Sequence, residues 1–275
     1  MKFERLSLLV ENGVAVVRFT NPPHEYMDAA TDRDLAAALD ASESDAAVRA
    51  VVLTGASDGV FVRHYDVREL EQRGRALAAR GKTSFSLDRP LPENRLHACY
   101  RRIGEIPKPF IAAVNGTAMG GGFELALSCD LRLVQAGPHS LGLPGVNIGL
   151  LPGAGGTQRL TRLVGQARAL ELMMLGRTFS PREAVTLGLA SECVDGPVLP
   201  HALELATELA CKSPLAIAHI KHLVRTVAAG DHAQGLAAER TLFCDLMVSA
   251  DGLSRMHEMN AGKRDLRDRR DGSSR

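Results

Sequence analysis

One short stretch constrains the fold of this chain more than any other. Pro109–Glu124 begins with an apolar run, turns at Asn115-Gly116, and ends in three glycines followed shortly by a carboxylate. The run predicts a buried strand over Phe110–Val114 and a helix that opens at the glycines. Glycines at a helix start leave the backbone N–H groups open to a ligand oxygen, and the helix dipole adds partial positive charge there. Glu124 stands in the first turn, where a carboxylate could move a proton.

A purely structural interpretation of the same residues is also open. Gly120–Gly122 would allow close packing of a helix against a strand. A glutamate in a first helical turn stabilises the helix through its dipole by about 0.3–1 kcal/mol. The sequence of this stretch alone does not distinguish a functional site from close packing of a helix on a strand.

The bulk composition excludes several classes of protein. The 275 residues are 45% apolar and 24% charged, which fits one large domain or a domain with an extension. A formal charge of +1 gives no reason to expect nucleic acid or an anionic membrane as partner. No apolar run reaches the length of a membrane span, and the first residues lack a secretory segment. Five scattered cysteines without metal-ligand pairs predict buried free thiols, no metal site, and a cytoplasmic protein.

Strand and helix signals alternate in the first part of the chain, and helix signals dominate from about Thr157. Asn12-Gly13 predicts a hairpin between strands at Leu6–Val10 and Val14–Phe19. Further strands are predicted at Ala50–Leu53 and Leu131–Val134, and helices at Ala29–Leu39, Val67–Ala79, Leu96–Ile103 and Leu215–Ala228. Gly81–Pro92 is rich in breakers and predicts a linker. The order indicates an α/β core followed by a helical segment.

Two glycine-rich blocks resemble the enoyl-CoA hydratase/isomerase, or crotonase, superfamily. Gly116–Asp130 reads GTAMGGGFELALSCD and looks like the signature of that family. The resemblance continues in Leu151–Leu160 and in Phe61–Asp66, and with weaker matches it covers most of residues 5–263.

The resemblance implies a crotonase-like spiral of ββα units followed by a C-terminal helical trimerisation segment. We therefore expect a core over residues 1–200, a helical segment over 201–263, and a disordered tail over 264–275. It also implies assembly as a homotrimer or a dimer of trimers. The expected substrate is an acyl-CoA thioester, with CoA as part of the substrate and no metal or redox cofactor.

In this family, two backbone N–H groups bind the thioester carbonyl oxygen and stabilise an enolate-like oxyanion. By motif, the donors would be Tyr65 and Gly121, and Glu124 matches the first of two glutamates that hold and activate water. The remaining expected contacts to the substrate or its CoA are Arg63, Asp66, Gly120 and Gly145.

The sequence departs from the family pattern at the second glutamate. That residue usually lies in a Gly-x-Pro-Glu sequence, whereas this chain has Gly142-Leu143-Pro144-Gly145. Gly145 has no side chain to deliver a proton. The departure argues against ordinary hydration, and more strongly against double-bond isomerisation.

Three basic residues add further candidates. Arg63-His64 replaces the Ala-Gly that is usual in the family. His64 could titrate near neutrality and act as an acid/base group, or it could bond locally. Arg63 could meet a phosphate of CoA or remain a solvated surface residue. His97 falls in a region where some members use a catalytic histidine, although a lone histidine on a helix usually has a structural role.

These features lead to an acyl-CoA hydratase or lyase as the first hypothesis. The alternative is a catalytically weak or inactive crotonase-fold protein that binds CoA esters or serves as a partner subunit. A nucleotide-binding oxidoreductase is disfavoured, because Gly116–Gly122 lacks the Gly-x-Gly-x-x-Gly spacing.

Overall fold

Two β-sheets with helices around them form the core of the molecule. The computed structural model describes residues 2–82, 84–225 and 230–266. The six-stranded sheet contains, in spatial order, β1 (Leu6–Glu11), β2 (Val14–Phe19), β3 (Ala50–Gly55), β5 (Phe110–Val114), β7 (Leu131–Gln135) and β10 (Glu192–Val194). The four-stranded sheet contains β4 (Gly59–Val62), β6 (Gly116–Met119), β8 (Leu141–Gly142) and β9 (Thr178–Phe179). The pairs β1–β2 and β8–β9 are antiparallel, and the other neighbours are parallel.

The helices follow the strands in a repeating order. They are α1 (Ala29–Ser44), α2 (Val67–Ala79), α3 (Arg95–Glu105), α4 (Gly121–Ser128), α5 (Gly156–Val164), α6 (Gln166–Met174), α7 (Pro181–Thr186), α8 (Val198–Ala210), α9 (Pro214–Arg225), α10 (His232–Val248) and α11 (Ala250–Asn260). A 3-10 turn spans Pro144–Ile148. The successions β3–β4–α2 and β5–β6–α4 each place one strand in either sheet before a helix. This repetition is the predicted spiral of ββα units.

The hairpin and the main strands lie where the local signals predict them. Asn12 and Gly13 both have positive φ, 50° and 78°, as a tight two-residue hairpin turn requires. The prediction missed β4 and β6, because a turn at Asn115-Gly116 was expected to lead directly to the glycines that open the helix. An ideal Cβ on Gly116 would lie 1.8 Å from the carbonyl carbon of Gly59, so glycine is what lets these two short strands approach.

Both faces of the six-stranded sheet are covered, as is usual for parallel strands. Every residue of β3 and β5 is buried. On one face the sheet packs against α8, whose small residues Ala202 and Ala206 are fully buried. On the other face, α1, α3 and α4 share a second apolar core with the smaller sheet.

A buried ion cluster attaches α9 to this core. Lys221 is 8% exposed, and its ammonium group donates to the carbonyls of Ile103 and Lys108, each at 2.8 Å. It also pairs with Asp130 at 2.8 Å, and Arg225 pairs with the other carboxylate oxygen of Asp130 at 2.9 Å. The cluster fixes α9 against the turns that precede β5 and β7.

The end of the chain is described only in part. Residues 226–229 and 267–275 lie outside the described residues, so the end of the helix predicted over Leu215–Ala228 and most of the predicted tail do too. In α10 and α11 no described residue is buried. Their exposed apolar side chains include Phe243, Val248 and Leu253.

The helices and the cysteines bear on two expectations drawn from the composition. Within the described ranges, no helix is both long and apolar enough to cross a membrane. All five cysteines are free, but only Cys99 and Cys129 are buried, so the prediction of buried thiols was wrong for the other three.

Candidate active site

The start of α4 separates the two interpretations of its glycines. Gly120 has a φ of +48°, and its N–H donates to the Gly142 carbonyl at 3.0 Å. An ideal Cβ on Gly122 would lie 2.0 Å from the Val62 carbonyl oxygen, so Gly122 serves close packing of α4 on β4. An ideal Cβ on Gly121 would make only ordinary contact, 3.5 Å from Cβ of Tyr65. The packing role therefore belongs to Gly122, and the helix opens toward Tyr65 at Gly121.

The amide of Tyr65 lies beside the helix start. Tyr65 forms an isolated parallel bridge with Met27, whose N–H donates to His64 and whose carbonyl accepts from Asp66. In a parallel bridge of this pattern, the opposed residue directs its own N–H away from its partner. The Tyr65 nitrogen is 3.7 Å from the ideal Cβ position of Gly121. Gly121 is the first residue of α4, so its N–H has no acceptor within the helix.

Glu124 is a buried acid with one oxygen fixed. The residue is 3% exposed, and its Oε1 accepts hydrogen bonds from the N–H groups of Ala154 and Gly156, both at 2.7 Å. Burial raises the pKa of Glu124, while the two amides and the charges of Arg159 and His97 oppose that shift. The fixed Oε1 leaves Oε2 as the oxygen that can exchange a proton.

The second glycine-rich block supplies the two amides that hold Glu124. An ideal Cβ on Gly156 would lie 2.8 Å from Oε1 of Glu124 and 2.8 Å from Cδ1 of Leu143. Only glycine allows the amide to come so close to the carboxylate. Arg159, one turn along α5, donates to the Ala154 carbonyl at 2.8 Å and braces the same loop. Sequence reasoning treated this block as a family marker and missed its role as a support.

Tyr100 is a second residue that supports the site and that the sequence did not reveal. Its buried hydroxyl donates to the Gly121 carbonyl at 2.7 Å and lies 3.2 Å from the sulfur of Met27. The spacing of Leu96, Tyr100 and Ile103 is typical of the core face of a helix. Nothing in that pattern indicates where the hydroxyl goes.

The candidate histidines occupy different surroundings. His97 lies in the first turn of α3, where its Nδ1 is 2.6 Å from Oδ1 of Asn94, the residue that caps the helix. The charge of His97 acts on the pKa of Glu124, so the two residues belong to one region. His64 bonds through Nδ1 to the Tyr65 carbonyl at 2.8 Å. Its ring stacks on Tyr26 at 4.4 Å between centroids, and Tyr26 stacks on His24 at 5.1 Å.

The side chains of Arg63 and Asp66 are engaged in local structure. Nε of Arg63 donates to the His24 carbonyl at 3.0 Å. Asp66 caps α2 by accepting from the Arg68 N–H at 2.8 Å. Both stabilise the segment that presents the Tyr65 amide.

Gly145 lies in the 3-10 turn that follows β8. Its carbonyl accepts from the Leu150 N–H at 3.0 Å, and an ideal Cβ would lie 3.0 Å from the Leu150 carbonyl oxygen. Gly145 follows two residues after Leu143, which reaches the neighbourhood of Glu124. This turn brings no acid group to the site.

Two further carboxylates meet the side chain of Tyr65. Its hydroxyl donates to Oδ2 of Asp32 at 3.2 Å and lies 3.4 Å from Oε1 of Glu69. Burial raises the pKa of Asp32 to about 6. Asp32 was not identified from the sequence as a candidate residue, although its position in the helix pattern indicates one. It precedes Leu35 by three residues and Leu39 by seven, which puts a charged residue on the apolar face of α1.

A separate cleft of about 450 Å³ lies between β3, β5 and the helices α8 and α9, lined among others by Val48, Pro107, Leu209 and Leu215. It borders the N-terminal ends of β3 and β5, whereas the loops that lead to Tyr65 and α4 follow the C-terminal ends. In open α/β sheets, ligands bind at the C-terminal ends of the strands. The cleft is therefore distinct from the candidate active site.

The architecture, together with a buried acid at a helix N-terminus, defines an α/β enzyme of the crotonase fold. The family model described as enoyl-CoA hydratase/isomerase matches residues 10–261. The chain belongs to the enoyl-CoA hydratase/isomerase family, which is a family of enzymes.

Individual relatives agree with this assignment. A probable enoyl-CoA hydratase of Bacillus subtilis is 34% identical over 252 residues, which cover 90% of this chain and 92% of that protein. A 2,3-dehydroadipyl-CoA hydratase of Escherichia coli is 36% identical over 78% of each chain. The crystal structure of an enoyl-CoA hydratase from Bacillus anthracis superposes with a TM-score of 0.83 at 28% identity, covering 94% of this chain and 97% of that one. An acyl-CoA thioester as substrate is consistent with these relatives.

Proposed function

We propose that the enzyme binds the carbonyl oxygen of an acyl-CoA thioester between the N–H groups of Tyr65 and Gly121. Glu124 then acts as the general acid–base group, which takes up or delivers the proton transferred in the reaction. The observation that carries the proposal is the adjacency of three elements: the free end of α4, the outward amide of Tyr65, and a buried carboxylate one turn into the same helix.

The two amides would stabilise negative charge as it develops on the thioester oxygen. Donors aimed at a developing oxyanion contribute roughly 3–4 kcal/mol each to transition-state stabilisation. The dipole of α4 acts at the same place because Gly121 is its first residue. The product of this polarisation is an enolate-like anion.

Glu124 is suited to hold and activate a water molecule or to take a proton from carbon. Its raised pKa brings a carboxylate closer to the working pH, which favours general acid–base catalysis. Because Oε1 is fixed by Ala154 and Gly156, the carboxylate keeps one orientation while Oε2 reacts. The chemistry uses backbone amides and a carboxylate, and it asks for no metal or redox cofactor.

Crotonyl-CoA hydration and α-proton exchange test the proposal together. Loss of the conjugated thioester absorbance reports hydration, and incubation of butyryl-CoA in deuterium oxide, followed by NMR, reports enolate formation. We expect Glu124→Gln to lower the rate of whichever of these two reactions the wild type catalyses by about 10²–10⁴-fold. Glu192→Gln, an exposed glutamate on β10, is the matched control and should leave the rate unchanged. An unchanged rate in Glu124→Gln would refute the role of Glu124.

The second candidate is a CoA-ester binding protein with little or no turnover. Gly145 favours it, because no second acid stands in that turn. Calorimetric binding of butyryl-CoA without hydration or exchange in the wild type would establish this alternative. Exchange without hydration would instead indicate an enzyme that forms the enolate and directs it to another reaction.

We also propose that the C-terminal helices assemble the protein as a homotrimer or a dimer of trimers. Exposed apolar side chains on these helices support a covered surface, including Val224 at 68%, Phe243 at 61% and Val248 at 72%. Light scattering should give a mass of three or six times the 29.4 kDa chain. Phe243→Glu should reduce that mass, and a wild-type monomer would refute the assembly.

A further inference from the structure

One carboxylate oxygen of Asp32 is a buried polar atom that the proposed mechanism does not use. Asp32 lies on the buried face of α1 and is 8% exposed. Its Oδ2 accepts from the Tyr65 hydroxyl at 3.2 Å. Among the residues that the structure describes, its Oδ1 has no hydrogen-bond partner. Buried carboxylate oxygens ordinarily accept a hydrogen bond, which makes this unpartnered oxygen unusual.

Tyr65 connects this oxygen to the thioester site. Its amide is the proposed donor to the thioester carbonyl, and its hydroxyl stands at the far end of the same side chain, between Asp32 and Glu69. The Cβ of Tyr65 is 3.5 Å from the ideal Cβ position of Gly121, so the ring begins at the oxyanion position. An acyl chain that ran from the thioester along this ring would end near Asp32.

The surroundings of Asp32 carry more negative than positive charge. Glu69 of α2 and Asp28 before α1 add negative charge, and Arg95 of α3 opposes them. Two carboxylates at one end of a ring repel a third. An unpartnered acceptor, in contrast, is satisfied by a hydroxyl or an amine.

We infer that Asp32, together with the Tyr65 hydroxyl, selects acyl-CoA substrates whose chain carries a hydrogen-bond donor beyond the reacting carbons, and disfavours chains that end in a carboxylate. The inference rests on the proposed function, because it takes the thioester to lie at Tyr65 and Gly121. It assigns to Asp32 a role in substrate specificity, distinct from the proton transfer of Glu124.

Calorimetric binding of saturated acyl-CoAs tests the inference without requiring turnover. Hexanoyl-CoA, 6-hydroxyhexanoyl-CoA and adipyl-CoA differ only at the chain end, and a chain of about six carbons spans the length of a tyrosine side chain. We expect the wild type to bind the hydroxylated ester at least about tenfold more tightly than hexanoyl-CoA, and adipyl-CoA most weakly. In Asp32→Leu the preference for the hydroxyl should fall to about twofold or less.

Two further variants keep the inference open to refutation. If Asp32→Leu does not fold, Asp32→Asn serves, because it removes the charge at constant shape and should narrow the gap between adipyl-CoA and hexanoyl-CoA. Asp40→Asn, an exposed position on the same helix, should leave all three affinities unchanged. Equal binding of hydroxylated and plain esters by the wild type, or a preference that survives in Asp32→Leu, would overturn the inference. Turnover of crotonyl-CoA dependent on Glu124, combined with equal binding, would leave the proposed function standing and the inference refuted.

Discussion

Two substitutions of Glu124 should differ from each other in stability. Both Glu124→Gln and Glu124→Ala remove the buried charge. Glutamine keeps an oxygen that can accept from Ala154 and Gly156, whereas alanine leaves both N–H groups without an acceptor. The difference in unfolding free energy between the two variants therefore isolates the two hydrogen bonds and the side-chain stem.

The expected magnitude follows from the structure. A buried polar group that loses its partner costs about 1–3 kcal/mol, so two orphaned amides cost about 2–6 kcal/mol. Truncation of the buried stem acts in the same direction. We expect Glu124→Ala to be less stable than Glu124→Gln by at least about 2 kcal/mol.

At pH 7 the wild type should be no more stable toward unfolding than Glu124→Gln. Because the folded pKa of Glu124 is raised above 4.5, the wild type loses stability relative to the glutamine variant as pH rises from 4.5 through the folded pKa. Each unit of that shift corresponds to about 1.4 kcal/mol. The carboxylate thus lowers stability at the pH where its chemistry is needed.

Urea unfolding followed by circular dichroism measures all three proteins. Protein concentration must be held fixed, because assembly would couple stability to concentration. Equal unfolding midpoints and equal slopes for Glu124→Ala and Glu124→Gln would refute the conclusion that two backbone amides hold the carboxylate in place. The activity of the two variants should be equally low, so a stability difference without an activity difference separates positioning from chemistry.

Four other substitutions test the packing and the electrostatics. Gly122→Ala should cost more than about 4 kcal/mol in urea unfolding or prevent folding, because its Cβ would meet the Val62 carbonyl at 2.0 Å, whereas Gly121→Ala should fold and lose thioester binding. The stability of the wild type relative to Asp32→Asn should fall by about 3 kcal/mol as the pH rises from 3.8 to about 6, because folding raises the pKa of Asp32 from 3.8 to about 6. A stability difference that does not change with pH would contradict this prediction. Lys221→Met should cost about 3–5 kcal/mol, because Asp130 and two carbonyls lose a buried donor; an unchanged melting temperature would show that Arg225 alone suffices.

The sequence predicts those elements whose signals are local. The hairpin at Asn12-Gly13 and the strand over Phe110–Val114 follow from turn chemistry and apolar runs, and both are present. The strands β4 and β6 are too short for a periodic signal. They exist because Gly59 and Gly116 allow two distant segments to approach, which no single window of sequence contains.

The same distinction applies to the candidate site. The motif brings Gly121, Tyr65 and Glu124 into consideration, and the structure places the first two side by side. The support of Glu124 by Ala154 and Gly156 joins residues about thirty positions apart, so it could not be derived from local pattern. Asp32 could have been found as a charge on an apolar helix face, because that mismatch is visible in the letters alone.

The distribution of aromatic residues makes the candidate site its own optical reporter. The chain contains three tyrosines and no tryptophan. Tyr65 and Tyr100 flank Gly121, and Tyr26 lies in the ring stack with His64. Intrinsic tyrosine emission therefore originates only around this site, and the chain has no tryptophan to which the excitation energy could transfer. A titration with a CoA ester can be followed on the unlabelled protein, and replacing one tyrosine at a time by phenylalanine would assign the signal to a single ring.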